Sequence, residues 1–280
     1  MPAGAAAASV GRRAGIPVVA TFDSGELVAL DDIGYGLQRR WADRRTVAGI
    51  LQRAARVTVT TGFMKQMASA IAPATRVDVV PIGIDVAAFP LASPPEGPPW
   101  RLLRVASLNR VKDYPMLMRA LARLVPALPG VHLDVVGEDT LDGSVQQLAK
   151  AIGVDAHVTF LGFQPTDALA PFYARAHLHL VSSRHEAAGI VVLEAAAAGV
   201  PTIGTRVGFL ADWSRERIER AVAVPAGDDA ALAQAVIDLV NDKPRRERVA
   251  AKAREWAVAH DAAWTARQFE NIYSEVLGAQ

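Results

Sequence analysis

From Arg101 onward, short runs of β-branched and aliphatic residues alternate regularly with longer segments of helical period. This alternation is typical of a parallel sheet built from β-α-β units, and the nearly continuous apolar runs indicate strands covered by helices on both faces. We therefore predict a doubly wound domain of about six strands over residues 101–260. The predicted strands are Leu102–Ala106, His132–Val136, His157–Leu161, Leu178–Val181, Pro201–Ile203 and Ala221–Val224.

The same alternation occurs in residues 1–90, after an Ala-rich opening, Pro2–Val10, that we interpret as a helix. Three strands are predicted there, at Ile16–Thr21, Arg56–Thr60 and Val77–Val80. Three strands make an incomplete domain, whose apolar faces need a further segment or another chain to cover them. The fold class is thus α/β with two Rossmann-like domains, of which the N-terminal one is incomplete.

The segment 91–100 is rich in proline, which lacks the N–H donor that helices and sheet ladders need. It is predicted to link the two domains. At the other end, Arg246–Val258 and Ala262–Leu277 have helical period. The last helix carries an aromatic and aliphatic stripe that is usually core packing, formed by Trp264, Phe269, Ile272, Tyr273 and Val276.

Net charge, the absence of cysteine and the spacing of histidines argue against several classes of partner and site. A formal net charge of +1 argues against nucleic acid, because binding a polyanion requires many basic side chains. The chain has no cysteine, so disulfides and thiolate metal sites are excluded and a reducing, cytoplasmic compartment is expected. No spacing of histidine and carboxylate resembles a zinc site, and the alternating His177 and His179 are interpreted as satisfied core histidines.

Membrane contact is limited to one candidate surface. No stretch reaches the about 20 uninterrupted apolar residues that a spanning helix needs. The basic run Gln38–Arg45 could form a face that touches anionic lipid at the periphery of a membrane, and a solvated helix face is the favoured interpretation.

The most informative stretch is residues 182–201, in which a strand ends, a polar turn follows and an apolar helix runs to Gly199. Glu194 lies in that helix among apolar neighbours, so an unpaired carboxylate would be costly and a partner is required. A ribose diol offers two O–H donors, and the site lies where α/β sheets bind ligands. Pairing with an arginine of the core, or exposure at the surface, is the open alternative.

A second carboxylate and the start of the helix complete this candidate site. Glu186 lies in the polar turn, where a solvated loop carboxylate is the simpler interpretation. The helix beginning near Gly189 presents free N–H groups that suit a phosphate. The small residues Ala187, Ala188 and Gly189 would let a phosphate approach.

Basic residues follow the first strand of the second domain. Arg110 and Lys112 lie in a loop before a helix that we expect Asp113 to cap, with Pro115 in its first turn. They could neutralise a diphosphate, although loop lysines are more often solvated. The absence of a Gly-x-Gly-x-x-Gly pattern and of a P-loop argues against a nicotinamide enzyme or an NTPase.

Taken together, these residues resemble the retaining glycosyltransferases of the two-Rossmann-domain (GT-B) type, the family 4-like group 1 transferases with a Glu-x7-Glu signature. Here that signature is Glu186 and Glu194. Further matching motifs, in the family's order, are Ile16–Thr21, Pro81–Asp85, Val105–Lys112, Phe160–Phe163, Phe172–His177, Ser182–Ser183, Ala198–Pro201 and Gly204–Gly208.

The resemblance implies a donor site for a nucleoside diphosphate sugar and no metal or other cofactor. It places Glu194 on the ribose and Glu186 near the transferred sugar. It places Lys112, Ala188 and Gly189 on the diphosphate, and Gly162 and Phe163 at the base. The last helix, residues 261–280, would pack back on the N-terminal domain. The acceptor would be a hydroxyl of a glycan or of a lipid-linked saccharide, as in polysaccharide biosynthesis.

Three departures from the family's pattern affect this interpretation. Ala106 and Ser107 stand where the family usually has Gly-Arg, so Arg110 would have to compensate. Asp23 occupies the place of the family's acceptor-domain histidine and is a candidate catalytic residue with Glu186. Compared with the family, the chain lacks the opening strands and glycine-rich loop, as an N-terminally truncated member would.

The leading hypothesis is a hexosyltransferase that moves a hexose from the donor to a hydroxyl with retention. The alternative is a non-catalytic nucleotide-sugar-binding fragment that needs its missing N-terminal segment or a partner. A glycoside hydrolase with Glu186 and Glu194 as paired carboxylates fits the residue types, but hydrolysis needs no phosphate-binding helix end. Epimerisation of a nucleotide sugar is a further alternative.

Overall fold

A computed structural model describes residues 2–93, 96–215 and 218–278. Its contacts divide these residues into two compact units. The first unit holds the residues up to Gly83, the short segment His185–Ala188 and the residues from His260 onward. The second unit holds Ile84–Arg184 and Gly189–Ala259.

The first unit contains a parallel sheet of three strands in the order β1-β2-β3 among its described residues. Strand β2 lies in the centre, and its buried side chains form an apolar core with helices α2 and α3. The elements are α1 (Pro2–Ala14), β1 (Val19–Phe22), α2 (Trp41–Arg53), β2 (Arg56–Val59), α3 (Gly62–Ile71) and β3 (Val77–Val79).

The second unit is built on a six-stranded parallel sheet, counted over the described residues, with the order β6-β5-β4-β7-β8-β9. This confirms the predicted doubly wound α/β domain. The strands are β4 (Arg101–Val105), β5 (His132–Val136), β6 (Val158–Phe160), β7 (Leu178–Val181), β8 (Thr202–Thr205) and β9 (Val222–Val224). The helices are α4 (Tyr114–Ala127), α5 (Ser144–Ala151), α6 (Ala170–Ala174), α7 (Ile190–Ala197), α8 (Gly208–Trp213), α9 (Asp229–Asn241) and α10 (Lys243–Ala259).

Local sequence signals account for how several elements begin. Helix α4 begins after Asp113, whose side chain accepts the N–H of Met116 at 3.2 Å, and Pro115 lies in its first turn, as predicted. The sheet face of α4 and the strands β4, β5 and β7 bury the largest apolar core of the unit. Strand order reverses at β4, which pairs with β5 on one side and with β7 on the other.

One strand prediction is wrong at its start. The strand predicted at Ile16–Thr21 begins at Val19, and the Ile16 side chain is 61% exposed. The N–H of Ile16 is used by the carbonyl of Gly11 at 2.8 Å, and Pro17 has no N–H to donate. The backbone therefore cannot enter the ladder before Val18, although the residues are β-formers. Strands β5 and β7 have the predicted bounds, and the remaining strand ends differ from the prediction by at most two residues.

The segment 91–100 runs without helix or strand where it is described, and Pro94 and Pro95 lie outside the described residues. The contacts place the division between the units at Gly83, upstream of the predicted boundary at residue 90. The reason is Phe89, which is buried in the second unit and packs edge-on against Tyr173 at 5.6 Å between ring centroids.

The C-terminal helix α11 (Ala262–Gly278) belongs to the first unit. Its Ile272 and Val276 are buried with Val80, which follows β3. Thr265 accepts the N–H of Gly83 at 2.8 Å and donates to the carbonyl of Pro81 at 2.7 Å. Across the described ranges, no helix combines the length and the apolar character needed to cross a membrane.

Candidate functional site

The carboxyl edge of the second unit's sheet is held together between the strands β4 and β7. Ser182, directly after β7, donates its hydroxyl to the carbonyl of Lys112 at 2.7 Å. The N–H of Arg184 donates to the carbonyl of Val111 at 2.8 Å. The turn after β7 is thus fastened to the loop after β4 at the point where strand order reverses, which is where open α/β sheets bind ligands.

The loop after β4 carries the two basic residues predicted to bind a diphosphate. Asn109 shapes it, because its side chain accepts the N–H of Lys112 at 3.2 Å and donates to the hydroxyl of Ser107 at 2.9 Å. Lys112 is half-buried and Arg110 is exposed. Both residues therefore lie in a shaped loop at the carboxyl edge of the sheet, and Ser107 serves to hold that loop.

Glu194 lies in α7 and is buried, as its apolar neighbours predicted. Its Oε2 atom accepts a hydrogen bond from the hydroxyl of Tyr173 at 2.7 Å. Tyr173 is fully buried and comes from α6, so its hydroxyl is fixed by packing. The sequence alternative of an arginine partner for Glu194 is wrong for the described residues, where the partner is a neutral hydroxyl.

Burial shifts the proton affinity of this pair. Removal from water raises the pKa of Glu194, and the hydrogen bond from Tyr173 opposes that rise. Burial also raises the pKa of Tyr173 well above its usual value, and the negative charge of Glu194 raises it further. Tyr173 therefore acts as a hydrogen-bond donor, and Glu194 gains from any ligand that donates hydrogen bonds to it.

The helix α7 begins after Gly189, which has φ of 83° and belongs to the second unit. This left-handed conformation favours glycine, since a side chain there would be strained. Ala188, the other predicted phosphate contact, is buried and belongs to the first unit. The predicted base-binding residues follow β6: Gly162 has φ of 68° and its carbonyl accepts the N–H of Gly137 at 2.9 Å, while Phe163 is 71% exposed.

The first unit carries the two predicted catalytic residues. Asp23 follows β1 and is exposed, and Glu186 lies in the segment that joins this unit. That segment is held on both sides of Glu186. The carbonyl of Ala187 accepts the hydroxyl of Thr61 at 2.8 Å, and Nε2 of His185 lies 3.1 Å from the carbonyl of Ser24.

A cavity of about 340 Å³ opens in the first unit beyond Ser24. Tyr35 lines it, and its ring lies 5.9 Å from that of His185 between centroids. Burial raises the pKa of Tyr35, a hydrogen bond with Ser24 lowers it, and the charges of Glu186 and Glu26 raise it further. Glu186 is therefore within electrostatic reach of a polar cavity in its own unit.

The predicted site residues do not include three buried side chains, Tyr173, His185 and Arg104. Tyr173 stands out there only as part of a motif, and the buried His185 has no signal of its own, although it stands directly before Glu186. Arg104 was also missed, although it is fully buried in β4. Its signal was available, because a charged residue inside a strand covered on both faces has no solvent face to occupy.

His177, directly before β7, and His179, within β7, are predicted to be satisfied core residues, and the structure supports this only in part. Nδ1 of His177 accepts the N–H of Arg101 at 2.9 Å. His179 is fully buried, and its Nδ1 lies 3.2 Å from the hydroxyl of Thr202, but its Nε2 has no hydrogen-bond partner in the described chain. Burial, aided by the charge of Arg104, lowers the pKa of His179 to about 3.

The basic run Gln38–Arg45 covers the turn before α2 and the beginning of α2, which starts at Trp41. Trp41 is 66% exposed, and the guanidinium of Arg45 lies 5.8 Å from its ring centroid. The contact of this run with anionic lipid stays a prediction. In the described part of the chain, no three His, Asp or Glu side chains cluster so as to hold a metal ion.

Comparison with known proteins gives consistent matches. A family model described as "Glycosyl transferases group 1" matches residues 90–256. The "Lipopolysaccharide core biosynthesis glycosyltransferase LpsE" of Rhizobium meliloti is 34% identical over 147 residues, which cover 52% of this chain and 41% of the relative. The chain spans less than half the length of the curated relatives it matches.

Solved structures share the fold over almost the whole chain. A "Sucrose-phosphate synthase" from Thermosynechococcus elongatus superposes with a TM-score of 0.83 at 24% identity, covering 98% of this chain and 72% of that one. The structure of "Anabaena Alr3699/HepE in complex with UDP" superposes with a TM-score of 0.81 at 17% identity, covering 98% and 76%. At these identities the likeness shows the GT-B arrangement of α/β elements and nothing finer.

Proposed function

Because the chain belongs to the glycosyl transferases group 1 family, we propose that its second unit binds a nucleoside diphosphate sugar. We further propose that a hexose is transferred from this donor to a hydroxyl acceptor with retention of anomeric configuration. The family membership supports the donor class, and so does the similar Anabaena structure, which is a complex with UDP.

The observation that carries the proposal is the buried carboxylate of Glu194. It lies close to the carboxyl edge of a doubly wound sheet, and among the described residues a single neutral donor, the hydroxyl of Tyr173, bonds one of its oxygens. A carboxylate accepts several hydrogen bonds, so a vicinal diol such as that of ribose would satisfy it. Burial raises the pKa of Glu194, and hydrogen bonds from a ligand would reverse part of that effect.

The diphosphate would be held by Lys112, with Arg110 at the rim of the same loop and the first turn of α7 after Gly189. An ammonium group and a helix N-terminus stabilise the negative charge that develops as the sugar–phosphate bond breaks. We propose that these groups make a divalent ion unnecessary for catalysis. Gly162 and Phe163 remain the proposed contacts of the base.

In the proposed transfer, the acceptor oxygen bonds to the anomeric carbon on the face from which the diphosphate oxygen leaves. The proton of the acceptor hydroxyl passes to the departing diphosphate, so no enzyme nucleophile is needed. Glu186 is proposed to contact the transferred sugar, and Asp23 to contact the acceptor. Both lie in the first unit, whose cavity beyond Ser24 is the candidate acceptor site.

The acceptor is proposed to be a glycan or a lipid-linked saccharide. The name of the Rhizobium meliloti relative, a lipopolysaccharide core transferase, supports this class. A peripheral contact of α2 with anionic lipid would bring such an acceptor close, and Trp41 and Arg45 are exposed on that helix. Sedimentation with anionic and neutral vesicles tests this, and equal recovery in both would remove the lipid contact.

The donor site is tested by calorimetric titration with UDP, GDP and ADP. We expect one of them to bind the protein in the micromolar range, and Glu194→Gln and Lys112→Ala to weaken it at least tenfold. Lys150→Ala removes an exposed lysine of α5 and is the matched control. Absence of binding by a folded protein to all three nucleotides would overturn the proposal, and turnover that persists in EDTA would support metal independence.

The second candidate is nucleotide-sugar binding without transfer. Ser107 favours it, because a hydroxyl bonded to Asn109 cannot supply the charge of the family's usual arginine. Micromolar binding of a nucleotide, combined with neither transfer to acceptors nor donor hydrolysis, would identify this function.

A further inference from the structure

Arg104 lies inside the sheet of the second unit and is completely buried. Its Nη2 donates to the hydroxyl of Ser183 at 2.9 Å and its Nη1 to the carbonyl of Leu180 at 3.3 Å. The guanidinium carbon is 5.9 Å from the ring centroid of Tyr114. Its Nε has no hydrogen-bond partner in the described chain. Among the described residues, the positive charge of Arg104 therefore has only neutral hydrogen-bond partners.

No carboxylate within the described ranges forms an ion pair with Arg104. The nearby titratable groups do not supply a negative charge to Arg104 either. The pKa of His179 is lowered to about 3, so that ring is neutral at physiological pH, and Tyr173 keeps its proton. The hydrogen-bond partner of Glu194 is the hydroxyl of Tyr173 and not Arg104.

The neighbouring strand β5 contains a buried charge that, unlike Arg104, has an ion-pair partner among the described residues. Asp134 of β5 is also buried, but Arg175 donates to its Oδ2 from Nε at 3.0 Å and from Nη2 at 2.8 Å. A buried ion without such a partner destabilises a fold by several kcal/mol. An anionic ligand that binds close to Arg104 would offset this cost.

The position of the guanidinium indicates where that anion binds. Its acceptors are Leu180 in β7 and Ser183 just beyond β7, and Tyr114 is the first residue of α4. The charge therefore lies at the carboxyl end of the sheet, between β4 and β7, where strand order reverses. The adjacent Ser182 is bonded to the carbonyl of Lys112, so the charge lies beneath the loop that carries the basic residues.

We propose that Arg104 is a buried countercharge for the diphosphate of the ligand that binds in this crevice. Its effect acts through space, since a fully buried guanidinium cannot touch the ligand, and through Ser183, which it positions. Low-dielectric surroundings make such an interaction stronger than the same interaction in water. This inference rests on the proposed donor function, and it assigns to Arg104 the charge that Ser107 does not provide.

The experiment compares Arg104→Met, which keeps the volume, with Arg104→Lys, which keeps the charge. Arg101→Met, at the exposed amino end of the same strand, is the control. For each protein we would measure the thermal midpoint without ligand, and the affinity for the nucleoside diphosphate that wild type binds and for its nucleoside. Arg104→Gln is added in case the methionine variant does not fold.

We expect Arg104→Met to unfold at the same or a higher temperature without ligand, because an unpaired buried charge has been removed. Its affinity for the nucleoside diphosphate should fall about tenfold or more, while its affinity for the nucleoside should be unchanged. Arg104→Lys should keep most of the diphosphate affinity. Arg101→Met should behave as wild type in every measurement.

Four outcomes would overturn the inference. If Arg104→Met binds the nucleoside diphosphate as tightly as wild type does, Arg104 is not a countercharge for it, and the proposed donor site is unaffected. Equal losses for diphosphate and nucleoside, or lower midpoints without ligand in both the methionine and the glutamine variants, make Arg104 structural. Failure of wild type to bind any nucleoside diphosphate removes the proposed function and, with it, the ligand assigned to Arg104.

Discussion

The hydroxyl of Tyr173 donates a 2.7 Å hydrogen bond to Oε2 of Glu194, and both side chains are buried. This contact fixes one carboxylate oxygen and so orients the other. Replacing Tyr173 with phenylalanine leaves the packing against Phe89 intact but frees the carboxylate. This substitution therefore tests the orientation of Glu194 while keeping the aromatic packing around it.

For Tyr173→Phe we expect about tenfold weaker binding of the nucleoside diphosphate, because Glu194 loses the hydrogen bond that fixes its orientation. The preference of the protein for the nucleotide over its 2′,3′-dideoxy analogue should shrink as well. Tyr273→Phe, on the exposed face of α11, is the control. An unchanged preference in Tyr173→Phe would show that this hydrogen bond does not position Glu194 for ribose.

Glu194→Gln is expected to stabilise the empty protein at neutral and alkaline pH. The pKa of Glu194 is raised by folding, so its contribution to stability is fully present below its unfolded value of 4.5 and is lost as pH rises through the folded pKa. An amide escapes that loss. Urea titrations at pH 4 and pH 8 should show a gain at pH 8 only, and a lower midpoint at pH 8 would contradict the assigned direction.

His179 is expected to weaken the fold in acid. Its folded pKa of about 3 lies below the unfolded value of 6.5, so between these limits the unfolded chain binds the additional proton. The free energy of unfolding attributable to His179 should fall by about 1.4 kcal/mol per pH unit below pH 6.5. The difference in unfolding free energy between wild type and His179→Gln, measured from pH 7 to pH 4, isolates it. A constant difference would mean that His179 does not titrate in this way.

Adjacent threonines of the first unit give a matched pair of substitutions. Thr61 donates to the carbonyl of Ala187 and caps α3 by accepting the N–H of Met64, whereas the buried hydroxyl of Thr60 has no partner in the described chain. Thr61→Val should cost about 1–3 kcal/mol, because it leaves buried polar groups unpaired. Thr60→Val should be neutral or stabilising, because it removes a buried hydroxyl that has no hydrogen-bond partner in the described chain. Denaturant titration of both variants decides, and equal effects would refute the distinction.

The doubly wound sheet could be predicted because its strands are uninterrupted apolar runs with clear helical segments between them. His132–Val136 and Leu178–Val181 have the predicted bounds. The failure at Ile16 has a local cause, since apolar pattern does not show that the N–H of Ile16 is already used by Gly11. Periodicity predicts which residues are buried better than it predicts where backbone pairing begins.

The partners of the site residues were beyond the reach of the sequence. Apolar neighbours predicted that Glu194 is buried, but its donor, Tyr173, comes from a different helix 21 residues away. Likewise, nothing local indicates that the carbonyl of Ser24 lies beside the ring of His185, 161 residues along the chain. Such contacts depend on how elements pack, which periodicity does not encode.

Because His185–Ala188 groups with the residues up to Gly83, this chain is not two consecutive modules. A recombinant protein made by joining residues 1–83 to the remainder of another member of the family would bring in foreign residues in place of 185–188 and of the segment from His260 onward. The foreign residues at 185–188 would have to form the hydrogen bonds with Thr61 and with the carbonyl of Ser24, although their sequence is not matched to these partners. Exchange of the first unit between members of the family therefore requires transplanting three separated pieces of sequence together.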